Sequence, residues 1–168
     1  ASCDAASAST KAIIDTLRSA GIAVVASSGN NGWGDSMGYP ACISTAISVA
    51  STGDGSGGTV ADAVSVFSNT ASFLNLLAPG QSIYSSVPGG VFANLAGTSM
   101  AAPHVTGAWA VLKQQRPSAT VTEVLAALGN TGVSVTDPLN GLAFPRIDVG
   151  AAASSFCTYS VSPTSISF

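Results

Sequence analysis

Gly97-Thr98-Ser99-Met100-Ala101-Ala102-Pro103-His104-Val105-Thr106-Gly107 is the stretch from which the rest of the chain can be read. A small polar turn delivers Ser99, and an apolar helix follows at once. From Gly97 to Leu112 no residue carries a formal charge with His104 neutral, and Lys113 is the first to break the run. Val105, Ala108, Trp109 and Leu112 fall at i, i+3, i+4 and i+7, which defines one helix face. Gly107 and the alanines leave little bulk elsewhere, so the sequence predicts a helix buried on most sides. Pro103 is expected early in that helix, where a missing backbone donor costs least. Ser99 then stands where the helix macrodipole favours negative charge. Two readings fit that position: an ordinary N-cap serine, or a nucleophile.

The chain has 168 residues, enough for one domain with a sizeable core. Only 8% of residues are charged, against about 25% in an average domain, so small polar residues must cover the surface. That profile suits a secreted hydrolase. A net charge of -3 and five scattered basic residues offer no basic stripe to neutralise phosphates, which argues against nucleic acid as a partner. No apolar run reaches the roughly 18 residues of a membrane span. Cys3, Cys42 and Cys157 match no zinc spacing. They are buried free thiols, or Cys3 and Cys42 pair and Cys157 belongs to whatever follows.

Residues from about Ser9 to Ala20 read as an amphipathic helix with Ile13, Ile14 and Leu17 on one face and Gly21 as its stop. Ile22 to Ala26 is an unbroken apolar run, expected as a parallel strand covered on both faces. A polar turn, Ser27-Ser28-Gly29-Asn30-Asn31-Gly32, follows it. Helix, stop, buried strand and loop is α/β grammar, with chemistry at the strand's carboxyl end. Ile47 to Ser51 is the next strand. Gly53 to Gly58 formally satisfies G-x-G-x-x-G, but no helix opens at its glycines and no acid follows at the required distance, so it reads as a surface loop. Ile83 to Val87 alternates as a short strand. Thr120-Val121-Thr122-Glu123 is a capping box opening a helix that Gly129 should end, and a last helix is expected from Arg146 to Ala153.

The Ser99 stretch closely resembles the nucleophile motif of the subtilisin-like serine proteases, Gly-Thr-Ser-Met-Ala-x-Pro-His-Val-x-Gly, over eleven successive positions. Val24-Val25-Ala26-Ser27-Ser28-Gly29-Asn30-Asn31-Gly32 resembles the segment whose asparagine donates to the oxyanion, and Met37-Gly38-Tyr39-Pro40, Phe67-Ser68-Asn69 and Leu76 to Gly80 match further landmarks. The resemblance runs from about Ser9 to Ala153. It implies an α/β fold with a doubly wound parallel sheet of the subtilisin type, incomplete at its N-terminal side. It implies a serine endopeptidase acting on polypeptides through a Ser99 acyl-enzyme, with Asn30 in the oxyanion hole. Gly38 would form the floor, and Ser27, Ser28 and Gly29 one wall, of a pocket for a large apolar side chain. A cis Tyr39–Pro40 bond is implied as well. Many relatives bind calcium near this loop, but the position of one ligating acid is Asn75, so calcium is not expected, and the chemistry requires no cofactor.

A serine nucleophile needs a base and a carboxylate to orient it. His104, the one histidine, lies five positions from Ser99, roughly 140° around the helix, and reads as structural. The family's catalytic aspartate and histidine motifs do not occur in these residues. The chain is therefore expected to be the C-terminal part of such a catalytic domain over 1–153, inactive by itself. Residues 154–168 would be a linker and the first strand of an Ig-like, BACON-type β-module. Two other readings are an esterase of another α/β serine hydrolase class, which would need a glycine where Ala101 stands, and a non-catalytic subtilase-derived adhesion module.

Overall fold

The computed structural model describes residues 2–157, and the expected β-module strand lies almost wholly outside them. Eleven elements follow in the order α1 (Ala8–Ser19), β1 (Val25–Ser27), β2 (Ile47–Gly53), β3 (Leu76–Gln81), β4 (Ile83–Val87), β5 (Val91–Leu95), α2 (Thr98–Gln115), α3 (Val121–Thr131), β6 (Val133–Thr136), β7 (Ala143–Arg146) and α4 (Val149–Ser155). The main sheet runs β1-β2-β3-β7-β6. Its first four strands are parallel and β6 joins β7 antiparallel. β4 and β5 form a separate antiparallel hairpin.

Helices cover both faces of the sheet, as the doubly wound expectation requires. Ile47 and Val49 of β2 and Leu76 and Ala78 of β3 meet Val105, Trp109 and Leu112 of α2, Val124 and Leu128 of α3 and Ala152 of α4. The intervening Ala50 and Leu77 face the other way, against Ile14 of α1 and Ile43, Val135 and Phe144. All seven residues of β2 are buried, its serines included: Ser48 Oγ donates to Asn75 Oδ1 at 3.0 Å and Ser51 Oγ bonds Ser65 Oγ at 2.8 Å.

Several elements depart from the sequence reading. β1 is shorter than the apolar run before it, and Ile22 is 52% exposed. β1 ends the sheet among the described residues and pairs only with β2, so one side of that run has no neighbour. α2 buries the Val105–Ala108–Trp109–Leu112 face, but Thr106, Gly107, Ala110 and Val111 on the opposite side are exposed; it is buried on one face, not most. Pro103 lies past the first turn, so Ser99's carbonyl loses the i+4 donor it would otherwise have. α3 passes through Gly129 and stops before Gly132, where a Cβ would stand 2.8 Å from Pro145 Cβ and 2.9 Å from the Arg146 carbonyl. Arg146 belongs to β7, and α4 starts behind its cap Asp148 and runs through Ser155, across the expected 153/154 boundary.

Other expectations hold. The Tyr39–Pro40 bond is cis. Cys3 and Cys42 form a disulfide, and Cys157 is free and exposed. Thr120 and Glu123 complete a reciprocal capping box. Gly53 ends β2, and Asp54 to Gly58 is a loop with no helix, held by the Asp54 carboxylate, which accepts from Ser56 N and Oγ at 2.8 Å.

Candidate active site

The site forms where the carboxyl ends of β1 and β3 meet the N-terminus of α2, the position at which open α/β sheets expose their chemistry. Gly97 caps α2 with no side-chain capping bond, Thr98 is the first helical residue, and Ser99 is the exposed second one. Ser99 is thus not the N-cap. Its N–H lies in the first turn, where helix geometry supplies no intrahelical acceptor. The turn is seated by Gly97 N donating to the Gly80 carbonyl of β3 at 2.8 Å. Gly80 has to be glycine: a Cβ there would stand 2.7 Å from the Gly97 carbonyl and 3.0 Å from Ala101 Cβ.

Asn30 is brought to the same turn from the end of β1. Its Oδ1 accepts from Thr98 N and from Thr98 Oγ1, both at 2.9 Å. With both lone pairs of the amide oxygen engaged, the amide plane is fixed and Nδ2 is left as the donor. A Cβ placed on Gly97 would lie 3.4 Å from that nitrogen, so Nδ2 stands at the turn that delivers Ser99. Thr98 Oγ1 also accepts from Gly29 N at 3.1 Å. Thr98 is fully buried and ties the two halves of the site together, a role the sequence reading did not give it. The available signal was a hydroxyl residue directly before Ser99, a residue type that can accept and donate at once.

His104 is exposed, and its Nδ1 donates to the Met100 carbonyl at 2.8 Å along its own helix. It makes no hydrogen bond to Ser99 among the described residues, in keeping with their angular separation. A cavity of about 390 Å³ beside Ser99 is lined by Ile83, Tyr84, Ser85, Ser86, Leu95, Met100, Pro103 and His104. The residues expected to form a substrate pocket do not line it. Gly38 and Ser28 are joined by Gly38 N donating to the Ser28 carbonyl at 2.7 Å, Ser28 is fully buried, and Ser27 and Gly29 are half-buried next to it.

Asn75 turns its Oδ1 onto Ser48 N at 2.9 Å and Ser48 Oγ at 3.0 Å. That oxygen is engaged by Ser48 and brings no carboxylate charge to a cation. No helix among the described residues is long and apolar enough to cross a membrane.

A parallel-centred sheet wrapped on both faces, with a serine at a helix mouth and an asparagine amide locked beside it, defines the class: an α/β domain with its candidate site at the strands' carboxyl ends. The Subtilase family profile (Peptidase_S8) matches residues 1–147, and the chain belongs to that family. It is 38% identical over 129 residues to Subtilisin Savinase of Lederbergia lenta, covering 77% of this chain and 45% of that protein. Against the subtilisin of Bacillus pumilus it is 38% identical over 124 residues, 72% of this chain and 43% of that protein. Among solved structures it resembles a protease of Pseudoalteromonas arctica with a TM-score of 0.78 and 29% identity, over 89% of this chain and 47% of the other. The chain thus spans less than half the length of these relatives.

Proposed function

We propose that the protein is a serine endopeptidase of the subtilisin type, secreted and acting on polypeptides, to which these residues contribute the carbon-attacking and oxyanion-holding half. Ser99 Oγ attacks the scissile carbonyl carbon, and its proton passes to a base. The C–N bond then breaks, the proton goes to the leaving amine, and water hydrolyses the Ser99 ester. Negative charge on the former carbonyl oxygen is met by Asn30 Nδ2 and the Ser99 N–H, donors fixed before the reaction begins. The base and its orienting carboxylate come from outside these 168 residues. Calcium has no part in this reading, and no other cofactor is required.

The observation that carries the proposal is the double engagement of Asn30 Oδ1 by Thr98. An asparagine serving only as a turn residue has no need of an amide held in one plane with its donor beside Gly97, at the turn that delivers Ser99. The adhesion reading gives no reason for that geometry. The esterase reading requires a glycine at 101, where a fully buried alanine packs inside α2.

A fluorophosphonate probe tests this on the longer protein that carries the upstream histidine and aspartate. Labelling at Ser99, abolished by Ser99→Ala, is expected; the 168-residue chain alone should stay unlabelled. An unlabelled Ser99 in the longer protein overturns the proposal.

A further inference from the structure

We infer that Asn69 is a positioning residue for the oxyanion-binding amide, acting through the backbone of the loop that carries Asn30; this rests on the roles given above to Ser99 and Asn30. Asn69 is fully buried, in the segment between β2 and β3. Its Oδ1 accepts from Asn31 N at 2.8 Å and from Trp33 N at 3.1 Å. Its Nδ2 donates to the Ser28 carbonyl at 3.3 Å and to Asn31 Oδ1 at 3.2 Å. Its backbone N–H donates to the Gly29 carbonyl at 2.9 Å. One side chain therefore fills its four hydrogen-bonding positions on a single loop, and its partners bracket Asn30 on both sides.

The loop is moulded around that amide. Gly29 has φ +108°, and any Cβ there would collide with Asn69 Nδ2. The neighbouring residues reinforce the fit: Gly32 N donates to the Phe67 carbonyl at 2.8 Å and Thr70 N to the Trp33 carbonyl at 2.7 Å. Thr98 sets the plane of the Asn30 amide and holds the loop backbone on one side only, at Gly29 N. Asn69 holds that backbone on both sides of Asn30, at Ser28 and Gly29 before it and at Asn31 and Trp33 after it. An oxyanion donor is useful only at about 2.7–3.1 Å from the developing charge, so a small shift of the Cα moves Nδ2 out of range.

The test is a double-mutant cycle in the longer protease, with a short chromogenic peptide as substrate. Asn30→Ala should lower kcat by roughly a hundredfold or more, a range set by a subtilisin asparagine rather than worked out from this chain. Asn69→Ala should lower kcat by about 10- to 100-fold with little change in KM, since a misplaced donor is lost mainly in the transition state. In the Asn30→Ala background the same change should cost less than about threefold, because two residues acting through one donor are not additive. Asn69→Asp, which keeps both acceptors for Asn31 N and Trp33 N, should fall between wild type and Asn69→Ala; it serves in its place if the alanine variant does not fold. Full kcat in Asn69→Ala beside a crippled Asn30→Ala overturns the inference alone. Equal loss from Asn69→Ala in both backgrounds also overturns it, marking a general structural role. If Asn30→Ala itself retains full kcat, the oxyanion role falls and this inference with it.

Discussion

Replacing Thr98 by valine removes one hydroxyl and nearly preserves shape, which makes it the sharpest probe of how the site is held. In the folded chain Thr98 Oγ1 donates to Asn30 Oδ1 at 2.9 Å and accepts from Gly29 N at 3.1 Å. The variant loses both bonds and leaves the Gly29 N–H in a site where Thr98 is fully buried. A net hydrogen bond is worth about 0.5–1.5 kcal/mol, and a stranded buried donor costs about 1–3 kcal/mol. The two effects overlap at Gly29, so the expected loss of stability is about 2–4 kcal/mol. Asn30 Oδ1 would keep only Thr98 N, and its amide could then turn. Complete loss of such a donor costs roughly 100- to 1,000-fold in turnover, a range drawn from a subtilisin and adopted for this relative; partial release should cost about 10- to 100-fold. Urea unfolding and peptide hydrolysis of the longer protease, measured on the same preparations, check the two numbers. Wild-type turnover in a Thr98→Val protein destabilised as expected would refute the idea that this hydroxyl orients Asn30.

Leu112→Ala removes a fully buried side chain from the core between α2, α3 and the sheet. It should cost about 2–5 kcal/mol by denaturant unfolding, and a loss under about 1 kcal/mol would show that α2 does not pack as described. Acid should weaken the fold. Thr120 N and then Thr120 Oγ1 hold the Glu123 carboxyl below the usual carboxylate range, and Ser44 Oγ and then Ser44 N do the same for Asp4. A folded pKa below the unfolded one contributes stability above the unfolded value that is lost as pH falls through the folded value. Melting temperature should therefore drop from roughly pH 4 downward. Glu123→Gln should show a smaller drop than wild type; an equal drop would remove Glu123 from the explanation.

The parts that could be read from the sequence are those where local chemistry and tertiary demand agree. The Thr120–Glu123 box is decided by residue types three positions apart, Ile47 to Ser51 is legible as a strand, and the Ser99 turn and Asn30 loop are legible through the family motifs they resemble. The strands that escaped notice lack a usable pattern. β5 has no buried residue, and β6 buries only Val135, so neither shows alternation between core and solvent. β7 contains Pro145, which argues against a strand, yet it lies between β3 and β6 in the sheet. The end of α3 was misplaced because Gly129 has nothing within 4 Å of a hypothetical Cβ, whereas Gly132 is crowded by β7, a contact from elsewhere in the fold. Thr98 and Asn69 escaped for the same reason. Their roles come from bonds spanning 68 and 38 positions, and no local spacing encodes them.

The central claim is that Ser99 becomes acylated while Asn30 holds the oxyanion. The most direct measurement is acid-quenched mass spectrometry of the longer protease after brief exposure to an activated acyl ester. An acyl adduct on the peptide containing Ser99, formed far more slowly in Asn30→Ala and absent in Ser99→Ala, is the expected result. An adduct at another residue, or one on Ser99 that forms equally fast without the Asn30 amide, would contradict the account.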